Sequence, residues 1–456
     1  MRRLLNRGLP EQSRIDLRIG WPLLLLPIVL LNQIFAPHPV WVVLSVTLAG
    51  LYALGYLWVR SLAPALEATR TRVSTILVAG DLLQEEFELR NLSRLPVLWA
   101  EFVDQSDLPG YEAGRVIACG ALSSYRWRAE VECKQRGVFR LGPHMLHLQD
   151  PLGLFDLQVD FPHHDVVLIY PRVVELPRLA LPHGNTQGSD RRRRPLRGVQ
   201  PAATVTEYRP GDSLRHVHWR TSAHRGRLMV KELETEPSGD VWVVLDLYGG
   251  AHSGSGPSST LETSIILAAS LAAELLSGRE QRAVGLLAAG RAPASGQTQP
   301  WLIPPLPGQA QLWQMMAALA RIDAGDVSLA DLLSSNGPAL GRRGSLIVVT
   351  PQVDIGQVGD WPGDWPAQLL HLKGVGLESS AVLVSPASNE PGAGEDALRA
   401  RLGITQALLA RVEIPSAVVE AGSPLRSVLR FRRKRTVIRS TPTGGVVTYE
   451  VEEEVG

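Results

Sequence analysis

The sequence has little that would commit it to a familiar chemistry. Its 456 residues include two cysteines, Cys119 and Cys133. Two are too few for a disulfide framework, and no Cys/His cluster has the spacing of zinc ligands. Aromatic residues make up only 6% of the chain. Neither sign of charge dominates, with Lys+Arg 46 against Asp+Glu 45, so no general electrostatic argument points to nucleic acid. There is no Gly-rich phosphate loop of Walker type and no nucleophile elbow. His216 and His218 stand two apart on an expected helix, so they point to different faces and do not easily share a metal. What the chain does have is turns: 42 glycines and 33 prolines in a sequence that is 45% hydrophobic. That suits many short packed elements rather than disorder, and the length suits two or three domains.

Long uncharged runs lie near the N-terminus, from Ile19 to Ala36 and from Val40 to Val59. Roughly 20 apolar residues cross a bilayer core as a helix, with about 17 as the lower limit. The second run meets this; the first is marginal and contains Pro22 and Pro27. Pro37-His38-Pro39 between them is a turn with no room for a domain, and Trp21, Trp41, Tyr56 and Trp58 sit near the ends as interfacial aromatics do. A cleaved signal peptide does not fit, because no small-residue cleavage site precedes the second run. Residues 1–60 therefore read as a cytoplasmic N-terminus and two transmembrane helices, the bland alternative being a buried hairpin of a soluble protein. Arg2, Arg3, Arg7, Arg14 and Arg18 precede the hairpin, Arg60, Arg70 and Arg72 follow it, and the turn has no basic residue. This places both ends, and the soluble body, on the cytoplasmic side of the cell membrane. Cys119 and Cys133 are then reduced thiols, read as small buried hydrophobes.

From 66 to 175 helical periodicity disappears. Short alternating segments at 73–78, 84–90, 98–104, 115–119, 125–133, 137–141, 145–149 and 166–170 are separated by turn residues such as Ala79-Gly80-Asp81 and Gly142-Pro143. Many short strands at near-regular spacing predict a β-sandwich-like domain. Asp150-Pro-Leu-Gly-Leu-Phe155 is a turn that returns Leu154 and Phe155 to the core. Residues 176–206 form a basic linker. Its run Arg191 to Arg194 reads as an exposed loop, with anionic lipid as the alternative contact.

The densest stretch is Glu207 to Glu236, EYRPGDSLRHVHWRTSAHRGRLMVKELETE. Pro210-Gly211 suits the centre of a type II turn, and Asp212 is a good N-cap for a helix from Ser213 to about His224. On such a helix Arg215, His218, Trp219 and Ser222 share a face. From Leu228 the pattern alternates with charge on both faces, an edge strand. Tyr208, Pro210, Gly211, Asp212, Arg215, Val217, Trp219, Ser222, Ala223, Leu228, Val230 and Glu232 together resemble the signature of the bacterial family known as domain of unknown function number 58. His224 departs from it, standing where the family usually has Arg. Gly142-Pro143 and Asp150-Pro-Leu-Gly-Leu-Phe155 resemble a succession that precedes this signature in the family.

Residues 207–430 continue as strands alternating with helices: strands at 241–247, 282–288, 346–350, 380–385 and 416–420, helices at 261–277, 309–322, 367–372, 394–409 and 424–429. Such alternation predicts a mostly parallel, doubly wound α/β sheet. Placed after the signature, this resembles a von Willebrand factor A-like domain. The resemblance implies a divalent cation on an Asp-x-Ser-x-Ser loop after the first strand, with a distant Thr and Asp. Here the loop reads Asp246-Leu-Tyr248-Gly-Gly250. Asp246 is thus a weak metal candidate, since one carboxylate without hydroxyl partners is a poor hard-ion site, and no cofactor is expected. Thr350 and Asp354 follow a later strand. The charged tail, 431–456, carries a basic Arg430–Arg435 run and an acidic Glu450–Glu454 run around a β-hairpin pattern or a disordered segment.

The expected function is a membrane-anchored, non-enzymatic scaffold. Its protein-binding surface is the signature: Tyr208, Arg209, Pro210, Gly211, Asp212, Arg215, His218 and Trp219. The family resemblance implies a MoxR-type AAA+ ATPase as partner, in complex assembly or envelope maintenance, and no nucleic acid. The alternative is a hydrolase or phosphate-ligand enzyme using Asp212, Arg215, His218 and Arg220. An extracellular adhesion module needs the opposite orientation and an intact metal loop, and both observations oppose it.

Overall fold

Two units account for the chain: Met1–Arg172 with Ser427–Gly456, and Val173–Arg426. The computed structural model describes residues 5–74, 76–174, 176, 204–208, 217–232, 240–277, 282–292, 296–341, 344–352, 365–386, 393–423, 431–440 and 446–455. Of the linker, 177–203 lies outside the described residues, as does the expected last helix at 424–429.

The first unit opens with an element the sequence reading missed. Strand β1 (Ser13–Leu17) precedes the apolar runs and pairs antiparallel with β10 (Phe155–Phe161). A single turn of 3₁₀-helix, Trp21–Leu24, leads into α1 (Leu25–Phe35), and α2 (Pro39–Leu62) follows. The second run is thus one continuous helix. Helix α1 has 11 residues, because the first run carries Pro22 at the start of the 3₁₀ turn and ends before Pro37. Then come β2 (Leu66–Arg72), β3 (Leu77–Val78), β4 (Leu82–Asn91), β5 (Val97–Asp104), β6 (Arg115–Cys119), β7 (Ser123–Glu132), β8 (Gly137–Leu141), β9 (His144–Gln149), β10 and β11 (Asp165–Tyr170). They make three sheets, ordered β1-β10-β9-β5-β6, β2-β4-β7 and β3-β11-β8. Alternating burial along β4, β9 and β10 shows why they are strands with one face inward.

Phe87 on β4 stacks on Trp127 of β7 at 5.2 Å, and Phe102 of β5 meets both edge-on. These contacts join the sheet β2-β4-β7 to the five-stranded sheet in one core. Cys119 and Cys133 are buried thiols outside any disulfide, as small hydrophobes are. Beneath lies a buried ion network. Arg70 makes a bidentate contact to Glu85 (2.9 and 2.5 Å) and reaches Asp104 (3.1 Å), while Tyr111 donates its hydroxyl to Glu85. The guanidinium also lies over the rings of Phe87 and Tyr111. The tail forms a two-stranded antiparallel ribbon, β20 (Phe431–Ser440) with β21 (Val446–Val455), whose register sets Arg432, Arg433 and Lys434 opposite Glu454, Glu453 and Glu452.

The second unit begins with the ribbon β12 (Thr204–Glu207) and β13 (Met229–Glu232), with α3 (Trp219–Arg225) between. Its body is a six-stranded sheet, ordered β16-β15-β14-β17-β18-β19, built from β14 (Val241–Leu245), β15 (Val284–Arg291), β16 (Thr298–Leu306), β17 (Gly344–Thr350), β18 (Leu377–Ser385) and β19 (Ser416–Glu420). All neighbours run parallel except β16, an antiparallel edge. Every residue of β14 is buried, as a parallel strand covered on both faces requires. The helices are α4 (Thr260–Ser277), α5 (Gln309–Arg321), α6 (Leu329–Asn336), α7 (Trp365–Gly374) and α8 (Ala393–Arg411). Strand β16 is not among the expected strands; it carries Pro300, Pro304 and Pro305, which an edge position tolerates, since one side of the strand needs no partner.

Among the described residues two helices are long and apolar enough to cross a membrane, α2 and α4. They differ in environment. In α4 78% of the apolar window is buried, so it is a core helix; in α2 the share is 11%.

Candidate functional site

The described part of the signature, Tyr208 and 217–232, is a small ββ ribbon carrying a capped helix. Tyr208 N–H donates to the Leu228 carbonyl and His218 N–H to the Met229 carbonyl, so the chain enters and leaves along one ladder. This corrects the expected helix from Ser213. Val217 and His218 are not helical, His218 having φ −86° and ψ 83°, and α3 starts at Trp219. The reason is local. The His218 ring nitrogen Nδ1 accepts the Thr221 N–H at 3.1 Å, so His218 is itself the N-cap. Gly226 closes the helix in the left-handed region, φ 63°. Arg209, Pro210, Gly211, Asp212 and Arg215 lie outside the described residues.

The shared helix face expected for His218, Trp219 and Ser222 is not found. Ser222 is buried; its Oγ accepts the Met229 N–H at 2.8 Å and donates to the His218 carbonyl at 3.0 Å. Trp219 points the other way and is 69% exposed. Val217 and Met229 are buried beneath the helix. The ribbon is therefore fixed from inside by backbone and one serine, and an indole is left on its surface.

A second polar site lies in the α/β sheet. The chain moves from β14 to β15 on one side and to β17 on the other, so the carboxyl ends of β14 and β17 flank a topological switch point. Asp246 follows β14 there. It is 1% exposed and accepts the Thr350 hydroxyl at 2.6 Å, the Gln352 side-chain amide at 2.9 Å and the Tyr248 N–H at 3.1 Å. Burial pushes its carboxyl above the usual range, and the three donors pull it back. His252 sits against the same turn, its Nε2 donating to the Asp246 carbonyl at 3.1 Å. Burial lowers its pKa to about 4, so the ring is neutral at pH 7.

Thr350 and Gln352 were not assigned to Asp246 from sequence. The usable signal was Thr350 at the end of a buried strand, since Leu245 and Val349 are partners in register. Asp354 lies outside the described residues. The donor set does not fit a hard cation: Oδ2, the oxygen a metal would take, already accepts two hydrogen bonds, one from a nitrogen that cannot coordinate. Among the described residues no group of three or more His, Cys, Asp or Glu side chains could hold a metal ion.

Residues 204–373 match the family described as protein of unknown function DUF58, so the resemblance carried by the signature is shown over that region. Over 197 residues the chain is 25% identical to the uncharacterized protein YeaD of Bacillus subtilis strain 168, covering 40% of this chain and 48% of that protein. The match thus spans about half the length of that curated relative. Two solved structures are similar in part. A von Willebrand factor type A protein from Catenulispora acidiphila is 15% identical, with coverage of 41% of this chain and 39% of that one and a TM-score of 0.22. The CARDB domain of a Pyrococcus furiosus protein is 12% identical, with coverage of 21% and 85% and a TM-score of 0.16. At those scores neither bears on function.

Proposed function

We propose that the chain is a membrane-anchored, non-enzymatic adaptor whose signature ribbon binds a protein partner at the cytoplasmic face of the cell membrane. The partner proposed is a MoxR-type AAA+ ATPase, with the von Willebrand factor A-like α/β unit as platform and the β-sandwich-like unit next to the membrane. One observation carries the reading: Trp219, on a helix pinned by Ser222 and capped by His218, is 69% exposed. Tryptophan is one of the residue types enriched among the energetic hot spots of protein interfaces. Helix α2, apolar and largely uncovered, supports the anchor. Arg7, Arg14 and Arg18 before the helices and Arg60 and Arg72 after them support the orientation.

A hydrolase built on Asp212, Arg215 and His218 is less well supported, because the His218 nitrogen that would serve as base already accepts the Thr221 N–H. A photo-crosslinker at Arg220, beside Trp219, tests the adaptor. A defined protein adduct in membranes, absent with the crosslinker at Leu302, is expected. No adduct, together with phosphoester turnover by the purified body, would replace the adaptor with the enzyme.

A further inference from the structure

The side chains around the Trp219 indole point to the chemistry of what covers it. Helix α3 faces inward through Ser222, which is buried and bonded to the Met229 N–H and the His218 carbonyl. With that direction fixed, 3.6 residues per turn place the others. Trp219 and Ala223, four apart, lie side by side on one flank. Arg220 and His224, also four apart, form the adjacent row, which points most directly away from Ser222. All four are exposed. Ala223 is small, so the residue next to the indole does not cover it.

The charge around the indole has one sign. Between Val217 and Leu228 the charged residues are Arg220, Arg225 and Arg227, all exposed, and none is acidic. In a chain with Lys+Arg 46 against Asp+Glu 45 this is a local excess. Arg227 is paired, its guanidinium 3.4 Å from Glu207 on β12. Among the described residues no carboxylate pairs with Arg220 or Arg225. Arg225 stands in the last turn of α3, where a cation suits the helix dipole. Arg220 stands in the first turn, where the dipole favours an acidic residue and α3 has none. The stability of the helix therefore gives no reason for a cation at that place.

We infer that the signature ribbon docks on an acidic protein surface, one with an apolar pocket for the Trp219 indole and Asp or Glu carboxylates beside it that pair with Arg220. The inference rests on the adaptor reading above and names the chemistry of its partner. Arginine suits the role, because its planar guanidinium meets a carboxylate through two parallel hydrogen bonds. The indole, covered by the partner, supplies the apolar contact, and the guanidinium at its rim steers the encounter and fixes the register. An anionic bilayer holds a helix through a broad apolar face, and α3 has only Trp219 and Ala223 to offer it.

The test uses the full chain in isolated membranes with a photo-crosslinker at Ala223, next to the indole. Arg220→Glu places an acidic residue where the dipole favours one, so the melting temperature should not fall, and any loss of binding is then not a loss of folding. The protein adduct is expected to drop by about 10-fold or more in Arg220→Glu and to be largely kept in Arg220→Lys, which retains the charge. For wild type it should drop by about 3-fold or more between about 0.05 and 0.5 M KCl, as the screening length shortens about 3-fold. Mass spectrometry should locate the crosslink on a partner peptide that carries Asp or Glu within a few residues. A Trp219-dependent adduct that Arg220→Glu and salt leave unchanged, or a partner peptide without acidic residues, would overturn the acidic surface and leave the adaptor standing. An adduct to phospholipid in place of protein would assign the surface to the membrane and refute the inference. Absence of any Trp219-dependent adduct would instead sink the adaptor reading itself.

Discussion

Thr350→Val tests the polar site at the sheet's switch point. The substitution keeps the volume and removes the hydroxyl. Two interactions go with it: the hydrogen bond to the buried Asp246 carboxylate and the acceptor of the Gln352 N–H, 3.1 Å away. A hydrogen bond to a charged group contributes about 1.5–3 kcal/mol, and a buried donor left without a partner costs about 1–3 kcal/mol. The two share an atom and do not add fully, so a net loss of about 3 kcal/mol is expected. For a unit of this size that lowers the melting temperature by about 6–12 °C.

The loss should depend on pH. Thr350 pulls the Asp246 carboxyl down against the upward push of burial, so removing it raises the folded-state pKa further. A carboxyl whose folded pKa lies above its unfolded value stabilises in acid, and that contribution disappears as pH rises through the folded pKa. The deficit of Thr350→Val should therefore be smallest in acid and grow as pH rises above the ordinary carboxylate range. Thermal unfolding of the detergent-solubilised chain between pH 4.5 and 8.5 reads this directly, with Thr350→Ser, which keeps the donor and loses one methyl, expected within about 1 kcal/mol of wild type. Millimolar Mg²⁺ should leave the wild-type curve unmoved. A pH-independent change under about 0.5 kcal/mol, or a rise of more than about 2 °C with Mg²⁺, would refute the hydrogen-bonded-carboxylate account.

Other perturbations address the frame around the sites. Arg70→Met strands the buried Glu85 and Asp104 carboxylates and should cost about 3–5 kcal/mol by urea unfolding. Ser222→Ala leaves the Met229 N–H without its acceptor, so about 1–3 kcal/mol and faster amide exchange at Met229 are expected. Gly55→Leu drives a side chain into Asp150 and Phe155. It should destabilise the first unit by about 1–3 kcal/mol while leaving vesicle flotation intact.

Much of this was legible in the sequence where periodicity is strong. Strand β19 falls on the expected 416–420, and α5 ends one residue from its expected limit, because burial on one face imposes those patterns. The misses have specific causes. β1 hides in a basic N-terminal segment, and its pairing with β10 depends on a strand far along the chain. β16 carries prolines that only an edge can accept. The start of α3 slipped from Ser213 to Trp219 because a histidine ring does the capping expected of Asp212. Asp246 was found as a lone carboxylate; its partners Thr350 and Gln352 lie more than a hundred residues away and meet it only through sheet register.

The most direct test of the adaptor is the effect of Trp219→Ala on recovery of a MoxR-type AAA+ ATPase with the membrane-extracted chain. Trp219 is surface-exposed, so its removal should change stability by less than about 0.5 kcal/mol. The account predicts at least a 10-fold loss of recovered ATPase for Trp219→Ala, and wild-type recovery for Leu302→Ala, an exposed hydrophobe elsewhere in the same unit. Equal recovery by wild type and Trp219→Ala, with the chain folded, would contradict it.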